Sequence, residues 1–111
     1  MGVESGLPVF NGPEGFYQHY PHFKKIGMSF RDAASSHFFD RDPLKFWYFY
    51  GHRFNIYKKA APHKGYHDVL KLGKLKNDNY FVFTSNVDNH FLRAGFEKNR
   101  IVECHGSIFH F

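Results

Sequence analysis

The fold is decided by residues 80–88, whose sequence YFVFTSNVD is apolar and aromatic at first and then turns polar. An apolar run of this kind predicts a short buried strand over 80–84. Residues 100–107, RIVECHGS, repeat the pattern, with a second predicted strand over 100–104. Helical patterns precede and separate the two strands. This order predicts an α/β fold with parallel strands and flanking helices.

Polar side chains follow both predicted strands at the point where each strand ends. Parallel sheets place ligands outside the carboxyl ends of their strands. If the two strands are neighbours, Asn86, Asp88 and His105 lie at one edge of the sheet. An amide, a carboxylate and an imidazole there predict a polar cleft for a sugar or a nucleotide. An alternative stays open, in which Asp88 caps a helix and His105 is a turn residue.

The clearest helical pattern covers residues 43–60. Asp42 can cap this helix, and Pro43 suits its first position, where a missing N–H costs nothing. The pattern rests on aromatic residues at intervals of four and three, namely Phe46, Tyr50, Phe54 and Tyr57. Trp47 and Phe49 widen the apolar face, so we expect burial on more than one side.

The weaker patterns predict one ordered loop, over 1–16, and three further helices, over 30–38, 63–73 and 89–94. Glycines and prolines carry the loop prediction. Ser29 and Asp32 have the spacing of a capping box, which favours a helix start at residue 30. Gly73 is the predicted end of the helix over 63–73, whose few apolar residues indicate a single packed face.

Composition bounds the class of protein. The chain has 111 residues, enough for one domain or part of one, and its hydrophobic fraction of 42% excludes a disordered or collagen-like chain. No apolar run reaches the roughly 20 residues of a membrane span, and no signal peptide is evident, so we expect a soluble protein without a membrane partner. The aromatic fraction of 21% exceeds what a small core needs, so some rings are expected to be exposed or to await a partner.

The net charge of +5 favours anionic partners such as phosphates, nucleotides or nucleic acid, although a solvated lysine surface would give the same charge. Two lysine pairs near aromatic residues, Lys24-Lys25 and Lys58-Lys59, leave a single-stranded nucleic-acid binder open as an alternative.

Cysteine and histidine usage restricts metal chemistry. The single Cys104 excludes an internal disulfide and favours a reducing intracellular compartment, cytoplasmic or nuclear. We expect Cys104 to be a small buried core residue. His63 and His67 have a metal-chelating spacing on a helix, but no third ligand is evident. Two surface histidines are the simpler interpretation.

Three segments carry a family resemblance. Residues 5–16 read SGLPVFNGPEGF, residues 84–88 read TSNVD, and residues 102–107 read VECHGS. In this order they resemble the sirtuin family of NAD-dependent protein deacylases, whose motifs are Ser-Gly-Ile-Pro-Asp-Phe-Arg-Gly, Thr-Gln-Asn-Ile-Asp and Glu-x-His-Gly-Ser. Pro62 and His67 also resemble the family's Pro-Asn-x-x-His.

The resemblance implies a partial Rossmann-like domain that binds NAD, with residues 1–111 as the N-terminal part of a sirtuin-type deacylase domain. The first strand and the C-terminal half of the domain, with its zinc-binding cysteines, would be missing. We therefore expect no structural zinc and no turnover by residues 1–111 alone. The implied partners are NAD and an acylated lysine of a protein substrate, with nicotinamide released and the acyl group transferred to ADP-ribose.

The resemblance also implies roles for individual residues. His105 matches the general base that activates a ribose hydroxyl, and Phe10 matches the ring that shields the reactive ribose from water. Asp88 would accept a hydrogen bond from the nicotinamide carboxamide. The remaining implied cofactor-binding residues come from the same loop, namely Ser85, Asn86 and Val87.

Three residues depart from the family pattern. Val9 and Asn11 replace an aspartate and an arginine, and Ser85 replaces a glutamine. These replacements motivate an alternative function, a degenerate module that binds NAD or ADP-ribose without catalysis.

Overall fold

The computed structural model describes residues 1–10 and 12–110, with the backbone alone for residues 12–14. Asn11, one of the three departures, therefore lies outside the described residues. The chain divides into two compact units. We call Pro8–Ile56 the helical unit, and Met1–Leu7 together with Tyr57–Phe111 the strand unit.

Five helices arise between Gly12 and Lys59: α1 (Gly12–His19), α2 (Pro21–Lys25), α3 (Phe30–Ala33), α4 (Ser36–Arg41) and α5 (Pro43–Lys59). The predicted capping box is confirmed, because Ser29 Oγ accepts from Asp32 N at 3.2 Å and Asp32 Oδ2 accepts from Ser29 N at 3.0 Å. Ser35 caps α4 in turn by accepting from Phe38 N. The helix predicted over 30–38 is therefore two short helices.

The long helix α5 has the predicted bounds to within one residue. Asp42 Oδ1 accepts from Lys45 N at 3.1 Å, which confirms the cap. Burial on more than one side is wrong, because Trp47 is 47% exposed and Tyr48 is exposed as well. The buried face instead follows a spacing of four residues, with Phe49, Arg53 and Tyr57.

The loop predicted over 1–16 is partly wrong. Val3–Ser5 form one turn of 3-10 helix, and α1 begins at Gly12, inside the predicted loop. Pro13 falls in the first turn of α1, where a missing N–H is tolerated. Gly15 serves close packing, since a Cβ there would lie 2.8 Å from the carbonyl oxygen of Val9.

The core of the helical unit is aromatic. Its buried members are Phe16, Tyr20, Phe23, Ala33, Phe38 and Phe49. Many ring pairs meet edge to face, as Tyr20 and Phe49 do at 5.0 Å between centroids, an arrangement that aromatic quadrupoles favour. The aromatic surplus of the sequence is thus largely core material, while Tyr48 and Phe83 are among the rings left exposed, as expected.

The strand unit contains α6 (Lys64–Leu75), β1 (Val82–Thr84), α7 (His90–Arg93) and β2 (Ile101–Glu103), with a 3-10 turn at Lys98–Arg100. The strands β1 and β2 pair in parallel, as predicted, with Val82 opposite Ile101 and Thr84 opposite Glu103. Its buried core is small and consists of Tyr66, Leu70, Ala94 and Phe96.

Two burial predictions and one helix boundary fail in the strand unit. Phe83 is 71% exposed on β1, so the strand is not buried on both faces. Cys104 is exposed rather than part of the core. The helix α6 runs past Gly73 to Leu75. Gly73 is buried and lies so close to the Tyr80 ring that a Cβ there would be 2.7 Å from its Cδ1. Within residues 1–10 and 12–110, none of the helices has the length and hydropathy needed to cross a membrane.

Candidate functional site

The polar segments that follow β1 and β2 are brought together by their backbones. Cys104 N donates to the carbonyl oxygen of Thr84 at 2.9 Å, which extends the parallel ladder by one step. Further along, Ile108 N donates to the carbonyl oxygen of Val87 at 3.0 Å. The loop over 85–88 and the turn over 105–107 therefore leave neighbouring strands at the same edge of the sheet.

Asp88 is the buried carboxylate of this edge, with only 3% of its surface exposed. Its Oδ1 accepts from His90 N at 3.0 Å, and its Oδ2 lies 3.7 Å from Nδ1 of the same histidine. The alternative prediction that Asp88 caps a helix is thus confirmed for Oδ1, which accepts from the first N–H of α7. Asn89, at the helix boundary, adopts a left-handed backbone with φ of 58°, and its side chain makes no capping bond.

His90 is fully buried next to that carboxylate. Neither ring nitrogen has a hydrogen-bond partner among the described residues. Burial lowers the pKa of His90, against the opposing influence of the Asp88 charge, so the imidazole is neutral at pH 7.

Tyr66 and His63 complete a group of buried polar atoms. The Tyr66 hydroxyl is buried and has no hydrogen-bond partner in the described part of the chain. Burial raises the pKa of Tyr66 to about 12, helped by the Asp88 charge; the neighbouring Asn86 side chain opposes the rise without forming a hydrogen bond of ordinary geometry. The Tyr66 ring lies 5.1 Å from the His63 ring and 5.5 Å from the His90 ring. We call Asn86, Asp88, His90, Tyr66 and His63 the Asp88 cluster.

The N-terminal turn packs against the same cluster. A Cβ at Gly2 would lie 3.5 Å from Asp88 Oδ2 and 3.9 Å from Asn86 Nδ2, which are ordinary contact distances, so the N-terminal turn lies directly against the cluster. Ser5 Oγ accepts from His63 N at 3.1 Å. Within the strand unit, the N-terminal turn therefore contacts the loop over 84–88 through Gly2 and the start of α6 through Ser5.

Glu103 was not among the predicted site residues, although it belongs to the third motif. It lies half-buried on β2, opposite Thr84. Burial raises the pKa of Glu103, and the Asp88 charge adds to that rise. The negative charge of Asp88 therefore affects the pKa of Glu103 at this edge of the sheet. The sequence alone does not reveal this pair, because the two residues belong to different strands.

His105 is placed in the turn that follows β2, where its side chain is exposed and Gly106 takes a left-handed φ of 76°. Within the described residues no hydrogen bond joins it to Asn86 or Asp88. In the same loop as Asn86, Ser85 is exposed and Val87 is half-buried. The backbone places Asn86, Asp88 and His105 at the same edge of the sheet, while the roles of their side chains stay predictions.

Phe10 belongs to the helical unit, where its half-buried ring stacks on Phe30 at 5.7 Å between centroids. The motif Pro-Asn-x-x-His, counted from Pro62, ends at position 66. The matching of His67 was therefore wrong by one residue, and the motif's last position is occupied by Tyr66, which is buried in the Asp88 cluster, while His67 is exposed.

Metal ligation finds no support in this region. Among residues 1–10 and 12–110, no three histidine, cysteine, aspartate or glutamate side chains are grouped so that they could hold a metal ion. In the part of the chain that is described, no third side chain lies where it could complete a metal site with His63 and His67.

The comparisons with known proteins agree with the sequence motifs. The family model described as "Sir2 family" matches residues 1–111. The chain is 34% identical over 110 residues to an NAD-dependent protein deacylase of Candida albicans, covering 98% of this chain and 33% of that protein. It is 32% identical over 108 residues to an NAD-dependent protein deacetylase of Saccharolobus solfataricus, covering 97% of this chain and 39% of that protein.

Solved structures give the same result for the fold. A Sir2 homolog–NAD complex superposes with a TM-score of 0.72 at 30% identity, covering 96% of this chain and 37% of that chain. A Sir2 homologue mutant in complex with ADP ribose gives 0.73 at 29% identity, covering 96% and 38%. The fold is accordingly Rossmann-like, with parallel strands and flanking helices, and the chain spans between a third and two-fifths of the curated relatives cited. The match over residues 1–111 establishes that the chain belongs to the Sir2 family.

Proposed function

We propose that this chain forms part of the NAD site of a protein lysine deacylase, which transfers the acyl group of a modified lysine to ADP-ribose and releases nicotinamide. The observation that carries the proposal is the Asp88 cluster. Its buried carboxylate lies at the carboxyl edge of two parallel strands, beside buried polar atoms of Tyr66 and His90 that have no partner among the described residues. Buried polar groups in this condition point to a polar ligand.

The residues of the cluster fit the chemistry of a nicotinamide riboside. A carboxamide offers both a donor and an acceptor, and the cluster offers the Asp88 carboxylate as acceptor and the Tyr66 hydroxyl as donor. Asn86 contributes an amide that can do both. Bound NAD would supply a leaving group, nicotinamide, and a ribose hydroxyl that receives the acyl group.

His105 is the proposed general base. An imidazole changes charge near neutral pH, so it can take the proton of a ribose hydroxyl under ordinary conditions. Its exposed position in the turn after β2 leaves the ring accessible to a ligand. Phe10 is the proposed shield against water, which would protect the reaction from hydrolysis. Ser85 and Val87 are proposed to line the ribose with Asn86.

Two further properties belong to this proposal. The acylated lysine of a protein is the proposed second substrate, in keeping with the names of the relatives. An intracellular location, cytoplasmic or nuclear, is proposed from the single cysteine. The expectation that the chain holds no structural zinc stays a prediction.

The test combines binding by the chain with turnover in a larger protein, because residues 1–111 alone are not expected to turn over. Calorimetry measures NAD binding by the chain. Nicotinamide release is followed, after an acetyl-lysine peptide is added, with the chain joined to the remaining part of a relative's Sir2 domain. We expect His105→Ala to bind NAD and to lose nicotinamide release, while His67→Ala, which also removes an exposed imidazole, keeps whatever release the unmodified chain has. Unchanged release in His105→Ala excludes this residue as the base.

A second candidate is a binding module without catalysis. It is favoured by Val9, which is 43% exposed where the family motif has an aspartate, and by the short side chain of Ser85. Binding heat with NAD or ADP-ribose, without nicotinamide release even when the chain is joined to the remaining part of a relative's Sir2 domain, supports this candidate. Binding of single-stranded nucleic acid that weakens steeply with salt, with no heat from either nucleotide, favours the basic nucleic-acid binder instead.

A further inference from the structure

His90 is a member of the Asp88 cluster to which the proposed function gives no role. Its ring is fully buried and stands edge-on to the ring of Tyr66, with an interplanar angle of 89°. Neither ring nitrogen has a hydrogen-bond partner among the described residues. Burial of a polar atom without a partner costs free energy, so an imidazole at this position calls for an explanation beyond packing.

The carboxylate of Asp88 lies beside one edge of this ring. Its Oδ2 is 3.7 Å from Nδ1 of His90, which is about 0.7 Å longer than an ordinary N–H···O hydrogen bond. A neutral imidazole carries a proton on one nitrogen and a lone pair on the other. The carboxylate attracts a proton on Nδ1 and repels a lone pair there, so Asp88 favours the Nδ1–H form.

The backbone carbonyl of Ala60 competes for the same proton. Burial lowers the pKa of His90, and the charges of Arg93 and His63 add to the fall. The Asp88 charge and the Ala60 carbonyl oppose it. The ring therefore has a single proton to give at pH 7. The Ala60 oxygen already accepts from Arg93 Nη1 at 2.6 Å, whereas Asp88 offers a full negative charge.

A second contact would fix the plane of the Asp88 carboxylate. Its Oδ1 accepts from His90 N at 3.0 Å. The torsion about the last bond of an aspartate side chain is soft, so this one hydrogen bond leaves the carboxylate free to turn. Donation from Nδ1 to Oδ2 removes that freedom. A carboxylate oxygen can accept two hydrogen bonds, so Oδ2 keeps a lone pair for the N–H of a carboxamide.

We propose that His90 is a positioning residue, which directs its Nδ1–H at Oδ2 of Asp88 and holds the carboxylate in the plane that a carboxamide requires. The proposal rests on the proposed function for its ligand, the nicotinamide group of NAD, but not for the contact between the two side chains. His90 acts through Asp88 and takes no part in the reaction itself.

Nitrogen-15 NMR tests the contact without any ligand. The protonated and the unprotonated ring nitrogen of a neutral histidine have different chemical shifts, so the spectrum shows which nitrogen carries the proton. We expect the proton of His90 on Nδ1 at pH 7. The signals of this ring are identified by their absence in His90→Asn or His90→Gln.

Asp88→Asn reverses the electrostatics at Nδ1 and leaves the helix cap in place. Asparagine caps a helix about as well as aspartate, so its side-chain oxygen still accepts from His90 N. Its NH2 group then replaces Oδ2 and presents a donor to Nδ1, so the proton should move to Nε2. The control is Asp68→Asn, which removes an exposed carboxylate from α6 and should leave the proton on Nδ1.

A purely structural role gives a different spectrum. If His90 only fills space, the position of its proton does not depend on residue 88, and the unmodified chain and Asp88→Asn show the same form. That result overturns the proposal, as does a proton on Nε2 in the unmodified chain. Neither comparison alters His90, so neither depends on whether a variant of this buried residue folds.

NAD affinity, measured by calorimetry, provides the second readout. The amide nitrogen of asparagine is as many bonds from the backbone as Nδ1 of histidine, and that of glutamine is as many as Nε2. His90→Asn therefore keeps a donor for Oδ2 and should retain most of the affinity. His90→Gln loses this donor and should weaken NAD binding by about tenfold, as expected for one hydrogen bond to a charged group.

The two proposals can fail separately. Absence of NAD binding by the unmodified chain contradicts the proposed function, whereas the spectra of the unmodified chain and Asp88→Asn still decide the contact. Where the unmodified chain binds NAD, equal affinities in His90→Asn and His90→Gln contradict the positioning role of His90.

Discussion

Asp88 holds His90 at two points: its Oδ1 accepts from the backbone N–H of His90 at 3.0 Å, and its Oδ2 lies 3.7 Å from that residue's Nδ1. The first contact fixes the start of α7 to the loop that follows β1. The second places a charge beside a fully buried imidazole. The carboxylate of the candidate site is therefore oriented by its own helix before any ligand arrives.

The buried imidazole makes stability depend on pH. Burial lowers the pKa of His90 below its ordinary value of 6.5, so the unfolded chain takes up a proton at a higher pH than the folded chain. Stability is then complete above about pH 6.5 and falls as the pH decreases towards the folded pKa. We expect His90→Leu to flatten this decline below pH 6.5, as measured by urea denaturation. His67→Leu, at an exposed position, should retain it; a decline of equal steepness in both variants would count against His90.

Glu103 should have the opposite pH dependence. Burial raises the pKa of its carboxyl above the ordinary 4.5, with help from Asp88, so the stability present below pH 4.5 is lost as the pH rises through the folded value. We expect Glu103→Gln to have a higher melting temperature than the unmodified chain at pH 7, and the difference to shrink below pH 4.5.

The control for this experiment is Glu97→Gln, at an exposed carboxylate that pairs with Arg100 on the surface. Surface ion pairs contribute little, so its melting temperature should change little at either pH. A destabilised Glu103→Gln at pH 7 would mean that the carboxylate is favoured in its charged form.

Removal of the Tyr66 hydroxyl should separate stability from binding. This buried hydroxyl has no hydrogen-bond partner among the described residues, and an unpaired buried polar group costs about 1–3 kcal/mol. We expect Tyr66→Phe to raise the free energy of unfolding by about 1 kcal/mol while weakening NAD binding. Denaturation and calorimetry measure the two effects.

Tyr80→Phe is the matched control, because the Tyr80 hydroxyl accepts from Glu97 N at 3.2 Å. Its loss should lower the free energy of unfolding by about 1 kcal/mol. If Tyr66→Phe is destabilised to the same degree, its hydroxyl has a partner in solution and the argument from the unpaired group fails.

The capping box of α3 gives a prediction for the helical unit. Ser29→Ala removes the oxygen that accepts from Asp32 N, so the free energy of unfolding should fall by about 1 kcal/mol. Ser36→Ala, at an exposed position in the first turn of α4, serves as the comparison and should stay within about 0.5 kcal/mol. Equal losses in both variants would show that the cap contributes nothing of its own.

Local features of this fold were predictable from sequence. Asp42, Pro43 and Ser29 act within three or four residues of their positions, so their patterns determine helix starts whatever the rest of the chain does. The parallel pairing of β1 and β2 was also predicted, because the order of strands and helices restricts the topology. The same order placed the loop of Asn86 and the turn of His105 at one edge.

Burial was not predictable to the same degree. Trp47, Phe83 and Cys104 have apolar side chains but are exposed, because burial depends on what packs against a surface and not on the residue itself. Gly73 resembles a helix end in sequence, yet its function is to make room for Tyr80.

The buried part of the candidate site escaped prediction for a related reason. Tyr66 stands at the last position of the motif that begins at Pro62, but it is not the histidine of that motif, and His90 lies outside all the motifs. What distinguishes them is that their polar atoms are buried without a described partner. That property arises only when α6, α7 and the loop after β1 have been brought together.

The strand unit is interrupted in the sequence by the helical unit, with consequences for cooperativity. Ser5 and His63 are bonded although 58 positions separate them along the chain, and most of that interval is Pro8–Ile56. Closing so long a loop costs less entropy when the inserted segment is already folded than when it is a flexible coil. We therefore expect damage to the aromatic core of the insertion to raise the entropic cost of closing the interval between Ser5 and His63.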